Sequence, residues 1–430
     1  VQALTSAQVA ALESSDLSTL KSTQVAVLDT SQAAALETRD ISALHTINVR
    51  ALSTAAINAL STDQIKALNT AQTYALTTAQ TSALQSAQMA ALESSDFAVL
   101  TSAQVAAFNS IQVAAIETAD IRALSTAAIR ALNTEALTGL STDQIARLTS
   151  AQVGAFSTAQ SAAFNTAQSA ALETNSIGAM STTAVRNLST ASIAALSTAQ
   201  VQALNTAQIS SLSSTQVQAL TSAQVAALES TDLAVLNTAQ VAVLDTTQAA
   251  AIETADIRAL STINIRALST AAINILGTDQ IAALTTAQTS ALTTAQTSAL
   301  STTQIAALES TDMAVLNTAQ VFVFNSSQLG AIETGDIGSL STNAVRAFHT
   351  DSISGLSTSQ IGQLNSYQVS ALTSSQTAQF NTAQALALET RDISALTTAA
   401  LRTLTTTATA ALSTDQIQAL TTTQTAALTT

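Results

Sequence analysis

The sequence predicts an all-α solenoid built from very short capped helices, one for each eight-residue repeat, with about 3.4 repeats per superhelical turn. Three observations lead there. A unit such as Ala219-Leu220-Thr221-Ser222-Ala223-Gln224-Val225-Ala226 recurs through all 430 residues. Helix formers and N-capping hydroxyls dominate it, and the chain has nine Gly and no Pro. Its acidic variants return at only two spacings, three units or seven, which a helical clock explains.

We number the positions of the unit from one to eight. Position two, read from Leu4, is only Leu, Phe, Ile or Met as far as Leu428, and position four, read from Ser6, is only Ser or Thr as far as Thr430. So short a period overrides the domain count that the length would otherwise suggest. A longer period lies over it: the stretch from Val1 to Ser14 returns letter for letter from Val217. Residues 1–216 and 217–430 are therefore expected to be successive super-repeats of one continuous solenoid, without a true domain boundary. Val1 lies mid-repeat with no Met before it, which reads as a cut or processed end of a longer array.

The Ser or Thr at position four is the expected N-cap. From Ser222 the helix would run over Ala223 to Leu228, with Val225 and Leu228 on one inward face. Glu229 would break it and Ser230 would cap the next. A continuous helix is excluded, because eight residues at about 100° each leave the Leu stripe advancing about 80° per repeat. A β-solenoid is the alternative, since Thr-rich short repeats build those too. Against it, positions two and seven have opposite parity and would face opposite sides of a strand.

The number of units per turn comes from the acidic variants, in which position three is Glu and position six usually Asp. They begin at Glu13, Glu37, Glu93, Glu117, Glu173, Glu229, Glu253, Glu309, Glu333 and Glu389, with Ser176 in place of Asp beside Glu173. Steps of three or seven units, never four or five, fit a turn of about 27 residues and align the acids in one longitudinal stripe. Arg50, Arg130, Arg186, Arg266, Arg346 and Arg402 each stand at position eight of the unit that follows Glu37, Glu117, Glu173, Glu253, Glu333 and Glu389. They form a second stripe about half a turn away. Solvated charge is one reading of both stripes. Complementary edges between neighbouring copies are the other, and these twelve residues are the candidate assembly site.

Bulk composition narrows the function. Hydrophobic residues make up 47% of the chain, aromatic residues 2% and charged residues 9%, against about 25% charged in ordinary globular proteins, so the bias is that of a repetitive protein. The formal charge of -14, with 13 dispersed Lys and Arg, argues against a nucleic-acid partner. Polar residues interrupt every apolar run well short of a membrane span. There is no Cys, hence neither disulfide framework nor thiolate site.

No reaction is legible. Ten near-copies of Glu-x-x-Asp on a regular surface offer no unique pocket in which to tune a general acid or base. His45 and His349 stand at single third positions far apart and read as surface substitutions. No Gly-x-Ser-x-Gly, phosphate loop or dinucleotide fingerprint occurs. We therefore expect no catalytic, cofactor-binding or metal site and no enzymatic activity. Phe108, Phe156, Phe164, Phe324, Phe348 and Phe380 occupy position two and are expected in the core.

The stretches Ala75 to Ser82, Ala-Leu-Thr-Thr-Ala-Gln-Thr-Ser, and Ala251 to Leu260 resemble very large octapeptide-repeat proteins of Gram-negative bacteria that are secreted or attached to the surface. The resemblance spans the chain. It implies an extracellular filament, surface fibre or surface-layer-like assembly, with copies of the chain itself as partners and no catalytic residues. Two binding roles are alternatives: an adhesin shaft made rigid by calcium on the acidic stripe, and an ice-binding solenoid on its Thr rows.

Overall fold

A computed structural model describes residues 1–428, so the position-four Thr430 lies outside the described residues. The chain divides into two compact units, Val1–Ala219 and Leu220–Thr430. Each is an all-helical solenoid. In the first, α-helices of four to six residues succeed one another from Ser6–Ala10 to Ser214–Gln218, and in the second from Ser222–Ala226 to Thr422–Ala427. Among the described residues, four repeats form 3-10 turns instead, at Ile121–Ala123, Ile257–Ala259, Ile337–Ser339 and Thr350–Gly355. No strand occurs among the described residues, which removes the β-solenoid alternative.

The N-cap stands one residue earlier than expected. Position three, not position four, has the extended backbone of a cap, as at Ser61 (φ -68°, ψ 164°) and Thr293 (φ -72°, ψ 159°). Position four is the first helical residue. The cause is position six: with the cap at three, Gln becomes the N3 residue and closes a reciprocal box. The Gln64 N–H donates to Ser61 Oγ at 3.2 Å, and the Ser61 N–H donates to Gln64 Oε1 at 2.7 Å. A cap at four would put Ile or Val at N3, which can return nothing. Thr293 and Thr294 give a matched test, because they are neighbours of one residue type. Thr293→Ala is expected to lower stability by about 1 kcal/mol, and Thr294→Ala by less than about 0.5 kcal/mol. Equal losses in chemical denaturation would return the cap to position four.

Each turn contains between three and four repeats. Helices three repeats apart pack together, as Thr54–Asn58 does with Thr78–Ala83 in the first unit and Thr270–Ile275 with Thr294–Ala299 in the second. Hydrogen bonds between turns span 23 residues from Thr73 to Asp96, 25 from Asn58 to Ala83, and 28 and 31 from Gln72 to Leu44 and Ile41. These separations bracket the expected turn of about 27 residues.

Positions two and seven fill the axis, though by different routes. Val225 lies inside its helix, whereas Leu228 lies beyond the C-cap Ala227, and both are buried. Burying each such side chain contributes roughly 1.5 to 3 kcal/mol, and stacking of successive turns accumulates it. The six position-two phenylalanines are all buried, as expected. Phe156 and Phe164 meet edge to face at 5.0 Å. Small Ser161 and Ser169 occupy position seven along the same stretch, buried and without a partner for their hydroxyls.

Position six carries a role that the repeat spacing does not reveal. Gln at this position is buried nearly throughout, and one side chain performs two tasks. Its Oε1 accepts from the cap N–H while its Nε2 donates to carbonyls of the preceding turn. Gln72 Nε2 lies 2.9 Å from the Ile41 carbonyl and 2.7 Å from that of Leu44. Gln288 repeats this in the second unit, with Ile257 at 2.9 Å and Leu260 at 2.7 Å. The chain breaks at position two after every short helix, and these amides satisfy the carbonyls so exposed.

Candidate assembly surface

Position three projects from the solenoid, and position six points into it. The Glu-x-x-Asp pair is therefore split: every Glu of the acidic repeats is exposed, whereas Asp40, Asp96, Asp120, Asp232, Asp312 and Asp392 are buried. The acidic stripe expected on the surface consists chiefly of glutamates, and this corrects the reading of the pairs as surface acids. The geometry of a short helix separates them, since the N-cap side chain faces solvent and N3 faces the previous turn.

Most of the inward aspartates are held by hydroxyls. Ser14, Ser94, Ser230, Ser310 and Ser366 donate to Asp40, Asp120, Asp256, Asp336 and Asp392, each 26 residues further on. Thr73 and Thr289 donate across 23 residues to Asp96 and Asp312, both at 2.9 Å. Burial raises the Asp96, Asp232 and Asp312 carboxyls above the ordinary aspartate range. In contrast, the Gln248 N–H, assisted by the Thr247 hydroxyl, lowers the exposed cap carboxyl of Asp245.

The candidate stripe residues all reach the surface. Glu37, Glu117 and Glu173 are exposed in the first unit, as are Arg50, Arg130 and Arg186. In the second, Glu253, Glu333 and Glu389 and Arg266, Arg346 and Arg402 are exposed. The structure does not bring the two stripes together: among the described residues none of the six arginines forms an ion pair. Glu37 and Glu389 have local partners instead, Arg39 at 2.9 Å and Arg391 at 2.7 Å. His45 and His349 are cap residues, and the His349 ring packs on Phe322 at 5.2 Å. No helix among the described residues is long and apolar enough to cross a membrane.

The ALTTAQ repeat matches residues 9–46, 33–70, 45–78, 113–150, 169–206, 201–230, 225–252, 249–286, 305–332, 329–366, 385–422 and 401–430, well over half of the chain. The chain belongs to the ALTTAQ repeat family. No curated protein matches it. In the ALTTAQ unit, Leu is position two, the following Thr pair is the cap and first helical residue, and Gln is the inward amide. Tandem ALTTAQ copies thus encode a structural repeat protein whose surface variation is concentrated at positions three, five and eight.

Proposed function

We propose that the chain is the repeat region of an extracellular filament, surface fibre or surface-layer-like assembly of bacteria, formed from copies of itself and without enzymatic activity. One observation carries this reading. Six glutamates and six arginines that recur with the repeat are all exposed, and among the described residues none of these arginines has an ion-pair partner in its own chain. A second copy offers the missing carboxylates in the same period, so Glu37, Glu117, Glu173, Glu253, Glu333 and Glu389 of one chain meet Arg50, Arg130, Arg186, Arg266, Arg346 and Arg402 of another. An exposed pair contributes at most about 1 kcal/mol, so repetition carries the association and salt weakens it. The secreted location is supported by the resemblance of the repeats to surface proteins.

Reversing Arg130, Arg186, Arg266 and Arg346 to Glu tests the pairing. Electron microscopy and light scattering at low salt are expected to show lateral assemblies of the parent and their loss in the variant. Unchanged width and order would remove the stripe pairing, and a parent that stays monomeric would remove self-assembly.

A further inference from the structure

The first unit contains a cleft of about 790 Å³ bordered by Arg122, Arg147, Ser150, Ser176, Glu173 and Asp143. Its two arginines are neighbours by the logic of the fold. A position-eight side chain reaches the position-one carbonyl 25 residues further on, as Asn58 does at Ala83 (2.9 Å) and Arg258 Nε at Ala283 (2.8 Å). Arg147 stands at that same separation from Arg122, so here two cations occupy adjacent turns. Neither guanidinium has a hydrogen bond or ion pair within the described residues. Both guanidinium groups border the cleft together with the Glu173 and Asp143 carboxylates, yet neither is paired with them, which leaves both cations free to meet an anion that enters it.

The carboxylate that the repeat normally supplies is missing at this place. Where Ser94 and Ser366 donate to Asp120 and Asp392, Ser150 faces Ser176, with the two hydroxyl oxygens 3.2 Å apart. The equivalent place one super-repeat later is built differently. Arg122, Arg147 and Ser176 correspond there to Gly338, Gln363 and Asp392, and Arg391 is satisfied by Glu389 at 2.7 Å and Asp392 at 3.3 Å. Where the second unit pairs Arg391 with Glu389 and Asp392, the first unit has Asn175 and Ser176, and beside them two guanidinium groups without an ion pair and a cleft.

We propose that this cleft binds an acidic saccharide, its carboxylate held between Arg122 and Arg147 and its hydroxyls against Glu173 and Asp143. Paired guanidinium groups match a planar carboxylate, and flanking carboxylates accept from sugar hydroxyls. The net charge of -14 disfavours indiscriminate capture of anions, so recognition depends on the local pair. The inference is independent of lateral assembly.

Calorimetric titration of the full chain with glucuronate, glucose and inorganic phosphate tests it. Saturable glucuronate binding is expected, with no binding of glucose and phosphate weaker by about tenfold or more. Arg122→Gly with Arg147→Gln borrows the residues found at 338 and 363 and is expected to weaken glucuronate by about tenfold or more while the circular dichroism is unchanged. Ser176→Asp returns the internal acid and is expected to weaken it as well. Absence of saturable glucuronate binding, equal affinity for phosphate, or full affinity in the folded double variant would overturn the assignment.

Discussion

Replacing Gln72 by Leu is expected to destabilise the first unit by about 3 to 5 kcal/mol, the largest loss for any single polar side chain in the repeat. The side chain is 1% exposed and satisfies three backbone groups: the Asn69 N–H at 2.9 Å, the Leu44 carbonyl at 2.7 Å and the Ile41 carbonyl at 2.9 Å. Leucine fills the volume but strands all three away from water, at roughly 1 to 3 kcal/mol for each unsatisfied group. Asparagine should fall between. Asn48 shows why, since its Nδ2 still reaches the Leu20 carbonyl at 2.8 Å while its Oδ1 is left buried without a partner. Glutamate should be worst at neutral pH, because a carboxylate would face two carbonyl oxygens. Its folded pKa would be raised, so the penalty is full above that value and is relieved as pH falls through it. Gln288→Leu is expected to act alike in the second unit. Denaturation midpoints ordered Gln, Asn, Leu, Glu at neutral pH would bear this out, and a Leu variant within about 0.5 kcal/mol of the parent would contradict it.

The architecture is legible in the sequence because periodicity is a statement about repetition, and the structure repeats. Buried positions two and seven and a turn of between three and four repeats follow from spacing, and the helical class from the helix formers and capping hydroxyls within the unit. The division of labour among polar residues does not. Position four is always Ser or Thr, which invites its assignment as the cap, yet the Thr221-x-x-Gln224 capping box lies one residue outside that frame. Gln reads locally as a helix former because its second task, donating to carbonyls of the preceding turn, depends on which turns touch. Asp falls on the surface with Glu in a local reading for the same reason. Nothing in one octad says that N-cap and N3 side chains diverge, the first to solvent and the second to the neighbouring turn.

The buried aspartates lead to the opposite expectation, a gain. Asp312 occupies the place of the inward Gln, accepting from the Thr289 hydroxyl at 2.9 Å and from the Glu309 N–H at 3.4 Å. It cannot donate, so the Leu284 carbonyl is denied the bond that Gln288 supplies to Leu260 at the same separation. Desolvation raises its pKa, partly offset by those hydrogen bonds, and Asp96 stands in the same position in the first unit. The sign follows from linkage. A carboxyl whose folded pKa lies above its unfolded value binds protons more tightly in the folded state, so it opposes folding fully above the raised value. That opposition is relieved as pH falls towards the ordinary aspartate range. The parent should therefore gain stability on mild acidification, helped by the lowering of its -14 charge. Asp312→Gln should restore the donor and add about 1 to 2 kcal/mol at pH 7. The Thr289 hydroxyl, deprived of its acceptor, still has the Thr285 carbonyl at 3.3 Å. The gain should shrink as pH approaches the ordinary aspartate value, because the parent aspartate is then neutral. Guanidinium midpoints of parent and variant at several pH values decide it. A gain that does not vary with pH would show that the missing donor, and not the buried charge, sets the cost. A loss at pH 7 would show that the hydroxyl-to-carboxylate bonds of the acidic repeats stabilise the solenoid more than the amide they displace.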